Sequence, residues 1–218
     1  MTDVPATSTK PVDAKPGHVE PGQVKPVDVN PVDVPCVIVL AAGRGERFAA
    51  TGGQVHKLQA LLAGIRVIDH VLFAVIGSGL AYHVVSADPA RPGMGDSIAA
   101  GVRATPSASC WLILPADLPL ITSETLQAMA FAPPCAVAVP VVNGQRGHPV
   151  RFGPECAHEL LRFEGNSGAA HMIRAQAAID SVVFVKLDDI GCITDVDTLD
   201  DLQRAEEMLE LRLRLPSA

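Results

Sequence analysis

The chain has 218 residues, enough for one α/β domain with a sizeable core. Apolar residues make up 48% and charged residues 19%, which suits a soluble globular enzyme, and the formal net charge is −7. That charge indicates neither a nucleic-acid-binding surface nor attraction to anionic membranes, so a bound polyanion must be held by a few local cations. The five cysteines (Cys36, Cys110, Cys135, Cys156 and Cys192) form no CxxC pair and read as reduced thiols. No apolar run reaches the roughly 18 residues of a membrane helix, and the N-terminus lacks a signal-peptide core, so the expected location is the cytoplasm.

Residues 1–35 differ from all that follows. Prolines recur at 11, 16, 21, 26 and 31, a period of five that removes amide donors and biases the preceding residues away from helix. Without an aromatic residue the segment cannot offset its ordering entropy and reads as a disordered, partly polyproline-II tail. The expected folded domain is 36–218. CVIVLAA (36–42) is a buried strand running into Gly-Arg-Gly. Val67, Ile68, Val71, Leu72 and Val75 have helical spacing, closed by Gly77-Ser78-Gly79. A strand over 82–86 and a short helix over 96–103 follow.

WLILPADLPL (111–120) is a second strand entering an acidic loop, with Thr122 and Ser123 as caps of a helix through Ala130. CAVAVPVV (135–142) is a third strand. Helices over 154–163 and 168–178, a strand over 182–187, and a last helix from Thr198 with Asp201 as capping partner complete the chain. Strands alternating with helices predict an α/β fold with a mostly parallel sheet covered on both faces.

Three motifs carry chemistry. LAAGRGERF (40–48) with Lys57 places glycines and cations (Gly43, Arg44, Gly45, Arg47) at a strand's carboxyl end, where backbone amides meet an anion. Phe48 stands where a dinucleotide fingerprint needs glycine, and no GK[ST] follows, so neither that fingerprint nor a P-loop is present. Asp117 in LPADLPL (114–120) sits just past a buried strand, where a carboxylate is costly unless it binds a cation; magnesium suits such a site. In TDVDTLDDL (194–202), Asp195 and Asp197 are read as pointing to opposite sides of an extended segment, one to the metal and the other to the final helix's cap. NGQRGHP (143–149) and GNSGAAH (165–171) read as substrate loops, the second as a glycine-rich helix start suited to an anion.

The order LAAGxGxRF…Lys57, GMGDSIAAGV (93–102), LPADLPL, GQRGHPV (144–150), GNSGA (165–169) and TDVDT (194–198) resembles the MobA-like NTP transferases, closest among them to the molybdenum cofactor cytidylyltransferases. The resemblance spans nearly all of 36–213. It implies a Rossmann-like fold of the glycosyltransferase-A type and transfer of a nucleoside monophosphate from an NTP to a phosphate-bearing acceptor, with release of pyrophosphate. Carried onto this chain, Leu40, Ala41, Ala42, Gly43, Arg44, Gly45, Arg47, Lys57, Met94 and Ser97 bind the nucleotide. Arg146, Gly147, His148, Gly165 and Gly168 line the acceptor side, and Asp117 and Asp195 hold Mg2+. Arg44, Lys57, Asp117 and Asp195 are the expected catalytic set.

Relatives that use GTP usually carry Leu-Ala-Gly-Gly, so Ala42 implies CTP. The implied acceptor is of the molybdopterin type, with a molybdoenzyme or its chaperone as a further partner, and no nucleic acid or membrane. This chain departs from the pattern at Asn166, where the family usually has Asp, and at Leu199, where it usually has Pro. Thr51-Gly52-Gly53 lengthens the first loop, and the segment before Gly93 is short. Two other readings stay open at this level: a sugar- or polyol-phosphate nucleotidyltransferase, and a non-catalytic nucleotide- or cofactor-binding chaperone on the same fold.

Overall fold

A computed structural model of the chain describes residues 34–90, 93–166, 170–178 and 181–214, with His171 as backbone alone. The tail's first 33 residues, Gly168, and the start expected for the helix over 168–178 lie outside the described residues. The chain runs through β1 (Pro35–Ala41), α1 (Glu46–Ala50), a hairpin of β2 (Leu61–Leu62) and β3 (Ile65–Arg66), α2 (Val67–Gly77) and β4 (Ala81–Ser86). It continues through α3 (Met94–Ala104), β5 (Cys110–Pro115), α4 (Ser123–Ala130), β6 (Val137–Val142), β7 (Gln145–Arg146) and β8 (Val150–Phe152). Next come α5 (Ala157–Leu160), α6 (Ala170–Ala177), β9 (Val182–Lys186) and α7 (Leu199–Arg214).

Seven strands form one sheet in the order β4-β1-β5-β8-β6-β7, with β9 also paired to β6. β1 lies parallel to β4 and β5, and β6 parallel to β9. β8 runs antiparallel to both β5 and β6, so those two share a direction, and only β7 and β8 oppose the rest. The carboxyl ends of β1, β5 and β6 therefore open on the same edge. Consecutive residues of the central strands feed opposite faces. Val37, Val39, Leu112 and Leu114 pack with Val71 of α2, Leu126 of α4 and Ala205 of α7. Ile38, Trp111, Ile113 and Val137 pack with Ile98 of α3, Leu160 of α5 and Met172 of α6. The near-continuous apolar runs of β1 and β5 follow from this two-sided burial.

Two segments differ from the sequence expectation. The helix expected over 154–163 is a 3₁₀ turn at Pro154–Cys156 and the single-turn α5. The amides of Arg162 and Phe163 bond back three residues, and the tightened chain carries Phe163 into the core at 5% exposure. The substrate loop expected over 143–149 contains a hairpin. Asn143 (φ 52°) and Gly144 (φ 80°) turn β6 into β7 through the left-handed conformations that an Asn-Gly pair favours.

Asp189 locks the segment that leads back to the sheet's open edge. Its Oδ2 accepts from the amide of Thr122 (3.0 Å), the Thr122 hydroxyl (2.9 Å) and the Thr125 hydroxyl (2.8 Å). Its Oδ1 accepts from the Gly191 amide (2.9 Å) and from Arg212 Nη2 (3.3 Å). The residue is 8% exposed, so removing the carboxylate strands several buried donors at once. Asp189→Ala is expected to lower unfolding stability by about 3 kcal/mol, measured by urea denaturation. A loss under about 1 kcal/mol would show that water replaces the carboxylate.

Candidate active site

A cavity of about 580 Å³ opens at the carboxyl ends of β1 and β5. Gly43 to Arg47, the carboxylates Asp117, Asp195 and Asp197, and Gln145 to His148 line it. A second cavity of about 250 Å³ adjoins it and shares Gly43, Arg44, Lys57, Met94 and Asp117. Its remaining lining includes Leu40, Ala42, Leu58, Ser97 and Asn166.

The glycine loop owes its shape to a left-handed Gly45 (φ 65°) at the start of α1, a conformation that would strain most side chains. The imidazole of His56 braces the loop from behind. Its Nε2 lies 2.8 Å from the Gly43 carbonyl oxygen, and its Nδ1 accepts from the Leu58 amide at 3.2 Å. The two contacts together select the tautomer with the proton on Nε2. The inserted Thr51 ties the same loop to the final helix: its hydroxyl donates to the Phe48 carbonyl and accepts from the Leu199 amide.

Lys57 is the centre of the site. It is 8% exposed, and its Nζ lies 2.6 Å from Asp117 Oδ2 and 2.6 Å from Asp197 Oδ1. Burial works against the ammonium, but the two carboxylates outweigh it and hold its pKa above the ordinary lysine value. Arg47 Nη1 reaches Asp197 Oδ2 at 2.5 Å, while Arg44 pairs with Glu46 at 3.3 Å on the exposed rim. Partial burial raises the Asp195 carboxyl above its ordinary value against its own amide, and the charges of Asp117, Asp197 and Asp201 raise it further.

Asp195 and Asp197 do not face opposite ways. Residues two apart in extended chain share a side, and Val196 between them is fully buried. The Val196 amide donates to the Asp117 carbonyl at 2.9 Å, so both carboxylates line the larger cavity. The helix cap expected of one of them falls instead to Thr198, whose hydroxyl is paired with Asp201 and accepts from the Asp201 amide.

In the segment after β7, the Gly147 and His148 amides donate to the carbonyls of Pro140 and Cys192, each at 2.9 Å. Burial lowers the His148 pKa, and its Nδ1 is buried without a hydrogen-bond partner among the described residues. The Arg146 guanidinium lies 4.8 Å over the ring of Phe184, a support the sequence pattern did not flag because it comes from another strand. Burial pushes the Cys192 thiol up to about 12, so it remains protonated and is no nucleophile at neutral pH.

Of the other expected site residues, Met94 and Ser97 line the smaller cavity, whereas Ala41 and Gly165 line neither. Ala41 packs on a core face and lines neither cavity. Gly165 docks on the first turn of α3: its carbonyl accepts from the Gly95 amide at 2.8 Å, and its amide donates to Asp96 Oδ2 at 3.1 Å. That places Gly165 beside the smaller cavity, where its neighbour Asn166 forms part of the lining, and not in the Arg146–His148 lining. Met94 is 55% exposed at the first turn of α3, and Ser97 donates its hydroxyl proton to the Gly93 carbonyl.

The lining of the larger cavity sets Arg44, Arg47, Lys57 and Arg146 against Glu46, Asp117, Asp195 and Asp197, four cations to four carboxylates. A polyanion is favoured in such a cavity when it arrives with a cation of its own. Carboxylate oxygens suit magnesium, which takes one or two of them and completes its shell with water and phosphate oxygens. Among the described residues, no group of three or more His, Cys, Asp or Glu side chains is gathered to hold a metal through protein ligands alone.

Residues 37–179 match the MobA-like NTP transferase domain. The chain belongs to the MobA-like NTP transferase family. Solved structures share the fold of the family member described here. A nucleotidyl transferase from Methanothermobacter thermautotroptrophicus is 20% identical with a TM-score of 0.70, over 84% of this chain and 100% of that one. Rv0371c from Mycobacterium tuberculosis H37Rv is 23% identical with a TM-score of 0.65, over 80% and 97%, and has also been crystallised as a complex with manganese. Molybdopterin-guanine dinucleotide biosynthesis protein A from Archaeoglobus fulgidus is 19% identical with a TM-score of 0.54, over 81% and 99%. No curated protein matches the chain in sequence. No helix among the described residues is long and apolar enough to cross a membrane.

His56 lies outside the motifs yet contacts the loop that faces the cavity. His56→Ala is expected to raise the KM for the nucleoside triphosphate roughly tenfold with kcat little changed, in steady-state assays. An unchanged KM would mean that the loop keeps its shape without the ring.

Proposed function

We propose that this NTP transferase moves CMP from CTP onto a phosphate-bearing acceptor of the molybdopterin type and releases pyrophosphate. The observation that carries the reading is the meeting of Lys57, Asp117 and Asp197 in a cavity that the glycine loop and Gln145 to His148 also line. In the reaction an acceptor phosphate oxygen attacks the α-phosphorus, a new P–O bond forms, and the bond to the β-phosphate bridging oxygen breaks. A phosphate oxygen is ionised at neutral pH, so the site has no need of a general base.

The chain's own residues supply positioning and charge. Amides at Gly43 to Gly45 and the cations Arg44, Arg47 and Lys57 hold the triphosphate and offset the charge that develops on pyrophosphate. Leu40, Ala42, Met94 and Ser97 hold the nucleoside in the smaller cavity, where the methyl of Ala42 favours a pyrimidine over a purine. Arg146, Gly147 and His148 receive the acceptor, with Arg146 steadied by Phe184.

The proposed magnesium ligands are Asp117 and Asp197, which converge on the point that Lys57 occupies, with Asp195, the second ligand implied by the family resemblance, facing the same cavity without a cation partner among the described residues. When bound, the metal supplies Lewis-acid neutralisation of the α-phosphate. The manganese complex of Rv0371c supports a divalent cation on this fold.

Asp117→Ala is expected to lower kcat by about a thousandfold or more with the circular dichroism spectrum unchanged. The measurement is pyrophosphate release with the molybdenum cofactor as acceptor, excess magnesium, and each of the four NTPs in turn. Wild type is expected to prefer CTP over GTP. Normal turnover by the variant would remove Asp117 from the mechanism, and pyrophosphate release with sugar phosphates alone would redirect the acceptor class.

A further inference from the structure

The ammonium of Lys57 stands where two carboxylates would otherwise face each other bare. It bonds one oxygen of Asp117 and one of Asp197, and Arg47 takes the second oxygen of Asp197. At 2.5–2.6 Å these are direct contacts between full charges. Three of the four oxygens of this pair are thereby bonded to cations that the proposed reaction needs on the triphosphate.

We infer that Lys57 is a placeholder: without nucleotide it occupies the Asp117–Asp197 pair and keeps a free divalent cation out, and it yields the pair when a triphosphate draws its ammonium away. Metal and nucleotide then bind as one ligand. This rests on the nucleotidyltransferase reading above and specifies the order of binding, which that reading leaves open.

The physical case has three parts. Pulling a buried ammonium off its carboxylates without another anion leaves an uncompensated charge, one of the most costly single changes in a folded protein. A free metal ion provides no such anion; a triphosphate does. Magnesium also sheds water reluctantly, whereas Lys57 is tethered to the chain, 8% exposed and already desolvated. Finally, the balance of four cations and four carboxylates around the cavity makes the nucleotide–metal complex a better guest than either component. The coupling is reciprocal: the factor by which nucleotide tightens metal is the factor by which metal tightens nucleotide.

The test is manganese binding, read from the electron paramagnetic resonance signal of the free ion, with and without a non-transferable CTP analogue. The chains are wild type, Lys57→Met, Lys57→Gln, which keeps a hydrogen-bond donor for the carboxylates, and Arg44→Met. Wild type is expected to bind manganese roughly tenfold or more tightly with the analogue than without it. Both Lys57 variants are expected to bind manganese alone roughly tenfold more tightly than wild type, with little further gain from the analogue. Arg44→Met removes the same formal charge from an exposed position in the same cavity that touches neither carboxylate and is expected to change that affinity by less than about threefold.

Folded Lys57 variants that bind manganese alone no better than wild type would overturn the placeholder while leaving the nucleotidyltransferase reading intact. So would an Arg44 variant that gains as much as the Lys57 variants, since charge alone would then account for the effect. Wild type that binds neither manganese nor the analogue in any combination would overturn both.

Discussion

One buried ammonium ties the site's three segments together. Lys57 reaches Asp117, 60 residues on, and Asp197, 140 residues on, so the loop after β1, the loop after β5 and the approach to α7 converge on a single nitrogen. Such a contact is tolerable only with full compensation, because a buried lysine with one carboxylate missing would be left partly unpaired. Much of the surrounding structure serves that demand. Asp189 pins the turn at 190–193 to the start of α4, the Val196 amide bonds to the Asp117 carbonyl, and Thr51 fastens the glycine loop to the head of α7. A neutral cluster of charges is thus built in advance, at a sheet edge where the strand ends already leave room for a ligand.

The fold was largely legible because its strands are buried on both faces. CVIVLA and CWLILP have no polar residue to spare, and their runs end at Gly43 and Asp117, where the cavity begins. Local chemistry also marked Thr122 and Thr198 as helix caps. What the pattern concealed was whatever depends on partners far along the chain. β8 is three residues long and gains its identity by pairing with β5 and β6. The segment at 154–163 has helical composition, but the pull of Phe163 into the core shortens it to a turn.

The site was legible in outline, and the facing of two aspartates was misread. The cations and Asp117 follow from placing glycine and charge at strand ends, and the structure sets Arg44, Arg47, Lys57, Asp117 and Asp195 around one cavity. The segment at 194–198 was read as throwing Asp195 and Asp197 apart, whereas burial of Val196 turns both to the same side. His56 and Phe184 escaped for another reason. Each supports a neighbour (the Gly43 carbonyl and the Arg146 guanidinium) from a distance in sequence that no motif spans. Gly165 was expected on the acceptor side, and hydrogen bonds to the first turn of α3 hold it next to Asn166 of the smaller cavity.

The most direct measurement is a crystal structure of the protein soaked with manganese and a non-transferable CTP analogue, with anomalous scattering collected at the manganese edge. The account predicts one anomalous peak between Asp117 and Asp197, with the Lys57 ammonium moved onto the triphosphate and the cytosine in the smaller cavity beside Ala42. A peak held elsewhere, or a triphosphate bound with Lys57 still bridging both carboxylates, would contradict it.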